Sequence, residues 1–97
     1  MQITVQQIQE IVSNVTNISV EAINSPSRKA NIVLARHLSM HFSRWNTQLP
    51  MLKIAKLHGR DNHATIIHAD EAISYSIRKD AKLKAQYEEI QSQIKSF

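Results

Sequence analysis

Gly59-Arg60-Asp61-Asn62-His63-Ala64-Thr65-Ile66-Ile67-His68-Ala69 holds the only glycine of the chain, and turn chemistry gives way there abruptly to helix chemistry. Glycine takes the left-handed conformation without a Cβ penalty and so can end the helix before it. Asn62 or Asp61 can cap the helix after it. The pattern predicts a helix, a short turn and a second helix from about Asn62. That second helix opens on Asn62, His63, Ala64 and Thr65, all small or polar, before apolar periodicity begins at Ile66. Such an N-terminal turn, with hydrogen-bonding groups and no bulky apolar side chain, suits insertion into a DNA major groove.

Upstream, Pro50 fits the first turn of a short helix reaching to His58, with Ile54 and Leu57 pointing inward. Before it, Leu34, Leu38, Phe42 and Trp45 repeat at helical spacing with Val33 and Met40 beside them, predicting a core helix over about 30–45. Ser25-Pro26-Ser27 interrupts the chain ahead of that helix and leaves Arg28 and Lys29 on a loop or helix entrance. Thr4 with Gln7 makes a capping box for a first amphipathic helix over about 5–15, and Ser19 can cap a short turn through Ile23. Downstream, Ile66, Ala69, Ile73 and Ile77 form the buried stripe of the second helix of the pair. His63, Thr65 and His68 are left at its flanks.

A last helix over about 80–97 carries Leu83, Tyr87, Ile90, Ile94 and Phe97 as a narrow apolar seam. That seam either packs back on its own domain or serves self-association or another partner. One domain over residues 1–97 follows, all-α, a compact bundle of five to six helices.

Net charge is +4, and its placement says more than its size. No acid lies between Glu21 and Asp61, while Arg28, Lys29, Arg36, Arg44, Lys53, Lys56 and Arg60 all fall in that interval. A one-signed segment of this kind can be a solvated basic face, and because it ends where the outward-facing helix begins the better reading is the footprint of a polyanion-binding face.

With 42% apolar residues and a mean hydropathy of −0.32 a soluble globule is expected. No apolar run approaches the ~20 residues that span a bilayer, and no signal segment precedes the first helix, so the expected location is cytoplasmic, with no membrane partner. The absence of cysteine excludes a disulfide framework and a thiolate zinc site.

The run HGRDNHATIIHA resembles the signature of the C-terminal DNA-binding domain of the bacterial replication initiator DnaA, approximately Gly-Gly-Arg-Asp-His-Thr-Thr-Val-x-His-Ala. Ala35 to Phe42 looks like that family's preceding core helix, and Leu49-Pro50 resembles the Leu-Pro that opens its supporting helix. The similarity covers about residues 3–78. It implies a Trp-repressor-like helix-turn-helix that binds double-stranded DNA by sequence, in replication or regulation, with replication proteins as further candidate partners. Carried over residue by residue, it gives Arg28 to the minor groove and Asp61, Asn62, His63, Ala64 and Thr65 to base edges. Lys29, Arg36, Arg44, Lys53, Arg60 and His68 are then expected to hold phosphates.

The departures lie inside the base-reading segment. Aligned on His63, Asn62 replaces the family's aspartate, Asp61 its arginine and Arg60 its second glycine; aligned on Arg60-Asp61, Asn62 is an insertion in the turn. Ala64 replaces a threonine, keeping a methyl and losing a hydroxyl. A target sequence shifted from the family's usual box is expected.

No enzyme is expected. One glycine cannot supply the Gly-rich phosphate loop of a nucleotide motor, so the chain is read as a piece of a larger initiator or as a small stand-alone relative without ATPase activity. His37 and His41, four residues apart on one helix, lack the intervening glutamate of the zinc-protease motif and any third ligand at a suitable spacing, so neither a metal nor another cofactor is expected. Asp70-Glu71 and Glu88-Glu89 are adjacent pairs that diverge on a helix and read as solvated faces. The alternative is an interaction module that kept the scaffold and binds another protein.

Overall fold

The structure is a computed structural model that describes residues 2–97 and consists of six α-helices, with no strand among the described residues. Helix α1 (Val5–Thr16) begins on the expected capping box: the Gln7 amide donates to Thr4 Oγ1 (3.1 Å) and the Thr4 amide to Gln7 Oε1 (2.9 Å). It ends on Asn17 at φ +61°, one of the few residue types that tolerates the left-handed region. Ser19 accepts from the Ala22 amide and starts the single turn α2 (Val20–Ile23).

Helix α3 (Ala30–Asn46) is the central plank, and it separates two apolar clusters. On one side Leu38 and Phe42 share a cluster with Ile8, Val12, Ile23, Ile73, Leu83 and Ile90. Met40 belongs to the second cluster, with Val5, Ile54, Ala55, Ile66 and Ala69. That smaller cluster lies under α4 (Met51–Leu57) and α5 (Ala64–Ser76), the helix-turn-helix pair. Asp80 accepts from the amides of Lys82 and Leu83 and starts α6 (Ala81–Lys95).

The seam of α6 packs back on its own domain: Leu83, Ile90 and Ile94 are buried in the first cluster and Tyr87 packs against it. Self-association through those residues would have to expose this core. Phe97 departs from the seam and is 54% exposed. Two further expectations are corrected. Trp45 is 63% exposed, because the last turn of α3 runs beyond the apolar cluster and its indole meets the carboxylate of Asp70 at the rim. Leu57 is likewise on the outside at 42%, leaving Ile54 and Ala55 to cover the core.

Candidate nucleic-acid interface

The turn between α4 and α5 closes as a Schellman motif. The Gly59 amide donates to the Lys56 carbonyl (3.0 Å) and the Arg60 amide to that of Ala55 (2.9 Å), with Gly59 at φ +77°. Left-handed geometry is only half of the constraint. A Cβ at position 59 would stand 2.8 Å from the Asn24 carbonyl oxygen, so the end of α2 presses on the turn.

Two arginines lock that contact. Arg36, only 5% exposed, donates from Nε to the Ile23 carbonyl (2.7 Å) and from Nη2 to those of Ser25 (2.7 Å) and Ser27 (3.1 Å). Arg60 donates to the carbonyls of His58 (3.1 Å) and Ser25 (3.0 Å). Ser25 thus receives both guanidinium groups and ties the loop after α2 to the helix-turn-helix turn. Arg36, expected to hold a phosphate, has its donors turned inward onto backbone carbonyls.

Beyond this lock the polar groups turn outward. Arg28 and Lys29 are exposed at the start of α3. Pro26, Ser27, Arg28, Arg36, Gly59 and Arg60 line an open cleft of about 350 Å³ with no acid in its walls. Asp61, Asn62, His63 and Ala64 are exposed and Thr65 is half-buried. Asn62 Oδ1 accepts from the Ala64 amide (2.8 Å), so Asn62 caps the helix while His63 takes the formal cap position, and α5 starts two residues later than expected. Lys53 and His68 are exposed as well.

Arg44 stands in a different environment. Its Nη1 donates to Asp70 Oδ2 (3.0 Å) and its guanidinium lies 4.9 Å from the Trp45 ring centre, with the side chain 30% exposed. Asp70 also accepts from Trp45 Nε1 (2.9 Å) and from His41 Nδ1, whose Nε2 in turn accepts from the Tyr87 hydroxyl (2.7 Å). Burial first, and the nearby Asp70 carboxylate second, push the Tyr87 phenol up, in keeping with its role as donor. Asp70 is therefore no solvated surface acid. The signal for it was the spacing of His41, Arg44 and Trp45, three donors on one face of α3. Among the described residues no group of three His, Cys, Asp or Glu side chains is placed to hold a metal ion.

Histidines inside the domain carry a pH consequence. His58 is fully buried, donates from Nδ1 to the Ile54 carbonyl (2.8 Å) and accepts at Nε2 from Ser39 Oγ (2.7 Å). Burial lowers its pKa, and Arg60 and Arg36 act in the same direction against the Ile54 hydrogen bond. His37 meets His68 edge-on at 5.5 Å, and burial, His68, Arg36 and Arg60 lower its pKa to about 4. Both rings are neutral when folded and regain their ordinary proton affinity when unfolded. Stability is therefore whole above pH ~6.5 and drains as the pH falls toward 4, where the unfolded chain binds the extra protons. We expect the urea midpoint to fall steadily across that window. His37→Gln should recover about 1 kcal/mol of the loss, a figure reduced for the partly open ring. A flat midpoint from pH 7 to 4.5 would contradict the neutral assignment.

Residues 5–73 match the family described as bacterial DnaA protein helix-turn-helix. Among curated proteins, the chain is 41% identical over 96 residues to the chromosomal replication initiator protein DnaA of Caldanaerobacter subterraneus subsp. tengcongensis and, at the same identity, to that of Thermoanaerobacter pseudethanolicus. In both cases the match covers 99% of this chain and 21% of the relative, so the chain spans about a fifth of the length of these relatives.

Proposed function

The chain belongs to the bacterial DnaA helix-turn-helix family, and from that premise we propose that it binds double-stranded DNA by sequence, as a replication or regulatory module without ATPase activity. The observation that carries the proposal is the exposed, polar start of α5, held by a Schellman turn beside an acid-free cleft of arginines. A helix presented this way offers its first turn to the major groove while the neighbouring loop can follow the backbone. Arg28, exposed and lining the cleft, is the minor-groove residue of this reading, since narrow A·T-rich segments attract guanidinium.

Asp61, Asn62, His63, Ala64 and Thr65 are the base-facing set, and Lys29, Arg44, Lys53, Arg60 and His68 the phosphate set. Asn62 keeps its amide group free for a base, although Oδ1 already accepts from Ala64. Duplex DNA is the partner, with replication proteins as further partners in the cytoplasm. No helix is long and apolar enough to cross a membrane.

The test is selection from a random duplex pool followed by a salt titration. About four or five phosphate contacts give a log–log slope near −4, so affinity for the selected duplex should drop ~100-fold or more between 50 and 200 mM salt. The selected site should differ from the family's usual box, because Asn62 and Ala64 change the reading end. No enrichment and no duplex binding at low salt would overturn the proposal in favour of a protein-binding module.

A further inference from the structure

One carboxylate, that of Asp70, reaches from α5 to both His41 and Arg44 on α3, a hydrogen bond to the first and an ion pair with the second. Its side chain is 16% exposed and it also holds the Trp45 indole. The rest of the buried contact between α5 and the core is apolar, through Ile66, Ala69 and Ile73, with His37 and His68 meeting edge-on at its margin. Apolar burial is non-directional, and a stripe with alanine at its centre does little by itself to fix rotation of the helix about its axis. Hydrogen bonds to a carboxylate are directional and, with charged donors, short.

We propose that Asp70 is a positioning residue for sequence recognition: it fixes the rotation of α5 on α3 and holds Arg44 in register with the base-facing turn. This rests on the DNA-binding reading above. Asp70 lies five to eight residues beyond Asn62–Thr65, about 8–12 Å along the helix, so it acts through α5 and not by touching bases. Base readout needs side chains held within about 10–20° of the productive geometry. The same carboxylate orients one phosphate-binding guanidinium, so the contact that sets the protein's place on the backbone and the contacts that read bases share one anchor. Trp45 is the only tryptophan and reports on that anchor directly.

The test compares wild type, Asp70→Asn, Asp70→Ala and Glu71→Gln. Glu71 is exposed, and its substitution makes the same charge change one residue away. Each protein is titrated with the duplex selected by wild type and with a scrambled duplex, and Trp45 quenching by iodide is followed in the free protein. Asp70→Asn keeps the shape of the side chain and decides the matter if Asp70→Ala does not fold. We expect Asp70→Asn to lose at least tenfold on the selected duplex, less than threefold on the scrambled one, and to show easier Trp45 quenching. Glu71→Gln should leave the ratio of the two affinities unchanged. An unchanged ratio in Asp70→Asn, equal losses on both duplexes, or the same ratio change in Glu71→Gln would each overturn the proposal while leaving DNA binding intact. Failure of wild type to bind any duplex would overturn the DNA-binding reading itself, and this proposal with it.

Discussion

Gly59→Ala should lower the stability of the domain by about 3 kcal/mol, seen as a large drop in the urea midpoint of helical circular dichroism. Two costs combine. An L-residue in the left-handed region costs roughly 1–2 kcal/mol, and forcing a methyl into a filled space costs typically 1–3 kcal/mol. Here that methyl would stand 2.8 Å from the Asn24 carbonyl, a backbone atom that cannot swing aside. The two costs separate on comparison with Asn17, which already holds φ +61° without glycine. Asparagine eases the backbone cost but still carries a Cβ. Gly59→Asn should therefore remain strongly destabilised, whereas Asn17→Gly should stay near wild type. A Gly59→Asn variant at wild-type stability would show that the approach of α2 to the turn is not a constraint.

What could be read from the residues alone follows how local the physics is. The Thr4–Gln7 capping box, the glycine turn and the stripe Ile66–Ala69–Ile73 each depend on neighbours within a turn or two, and each is where the sequence places it. Helical spacing also gives the inward face of α3, but it does not say how far along α3 the neighbouring helices reach. Trp45 therefore falls off the end of the core although it continues the periodicity. Asp70 and Arg36 escaped for a related reason. Asp70 takes its partners from residues 25 to 29 positions away, and an acid beside a second acid carries no local mark of such company. Arg36 is satisfied by backbone carbonyls, which every sequence has, so nothing in its residue type distinguishes an interior guanidinium from a phosphate ligand. The outward reading of Asp61 to Ala64 agrees with their exposure because a helix start has few ways to bury four small or polar positions.

Arg36→Met should be the second severe substitution, at about 3 kcal/mol, and it separates the two roles open to this arginine. Methionine keeps much of the unbranched stem and its packing, so the loss measures the hydrogen bonds. The carbonyls of Ile23 and Ser27 lose a charged donor outright, while Ser25 retains Arg60. Hydrogen bonds to charged groups contribute roughly 1.5–3 kcal/mol each, and a buried carbonyl without a partner costs about 1–3 kcal/mol. Partial rehydration of the loop offsets some of this. Arg36→Lys keeps the charge but has no fork with which to span several carbonyls, so it should recover less than half of the loss. DNA binding then distinguishes an interior lock from a phosphate ligand. With the lock gone, the Ser25–Ser27 loop no longer fixes Arg28, and affinity for the selected duplex should fall about tenfold at a temperature where the variant is folded. The log–log salt slope should stay at its wild-type value, since no phosphate contact has been removed. A slope shallower by about 0.9 would instead return Arg36 to the phosphate set.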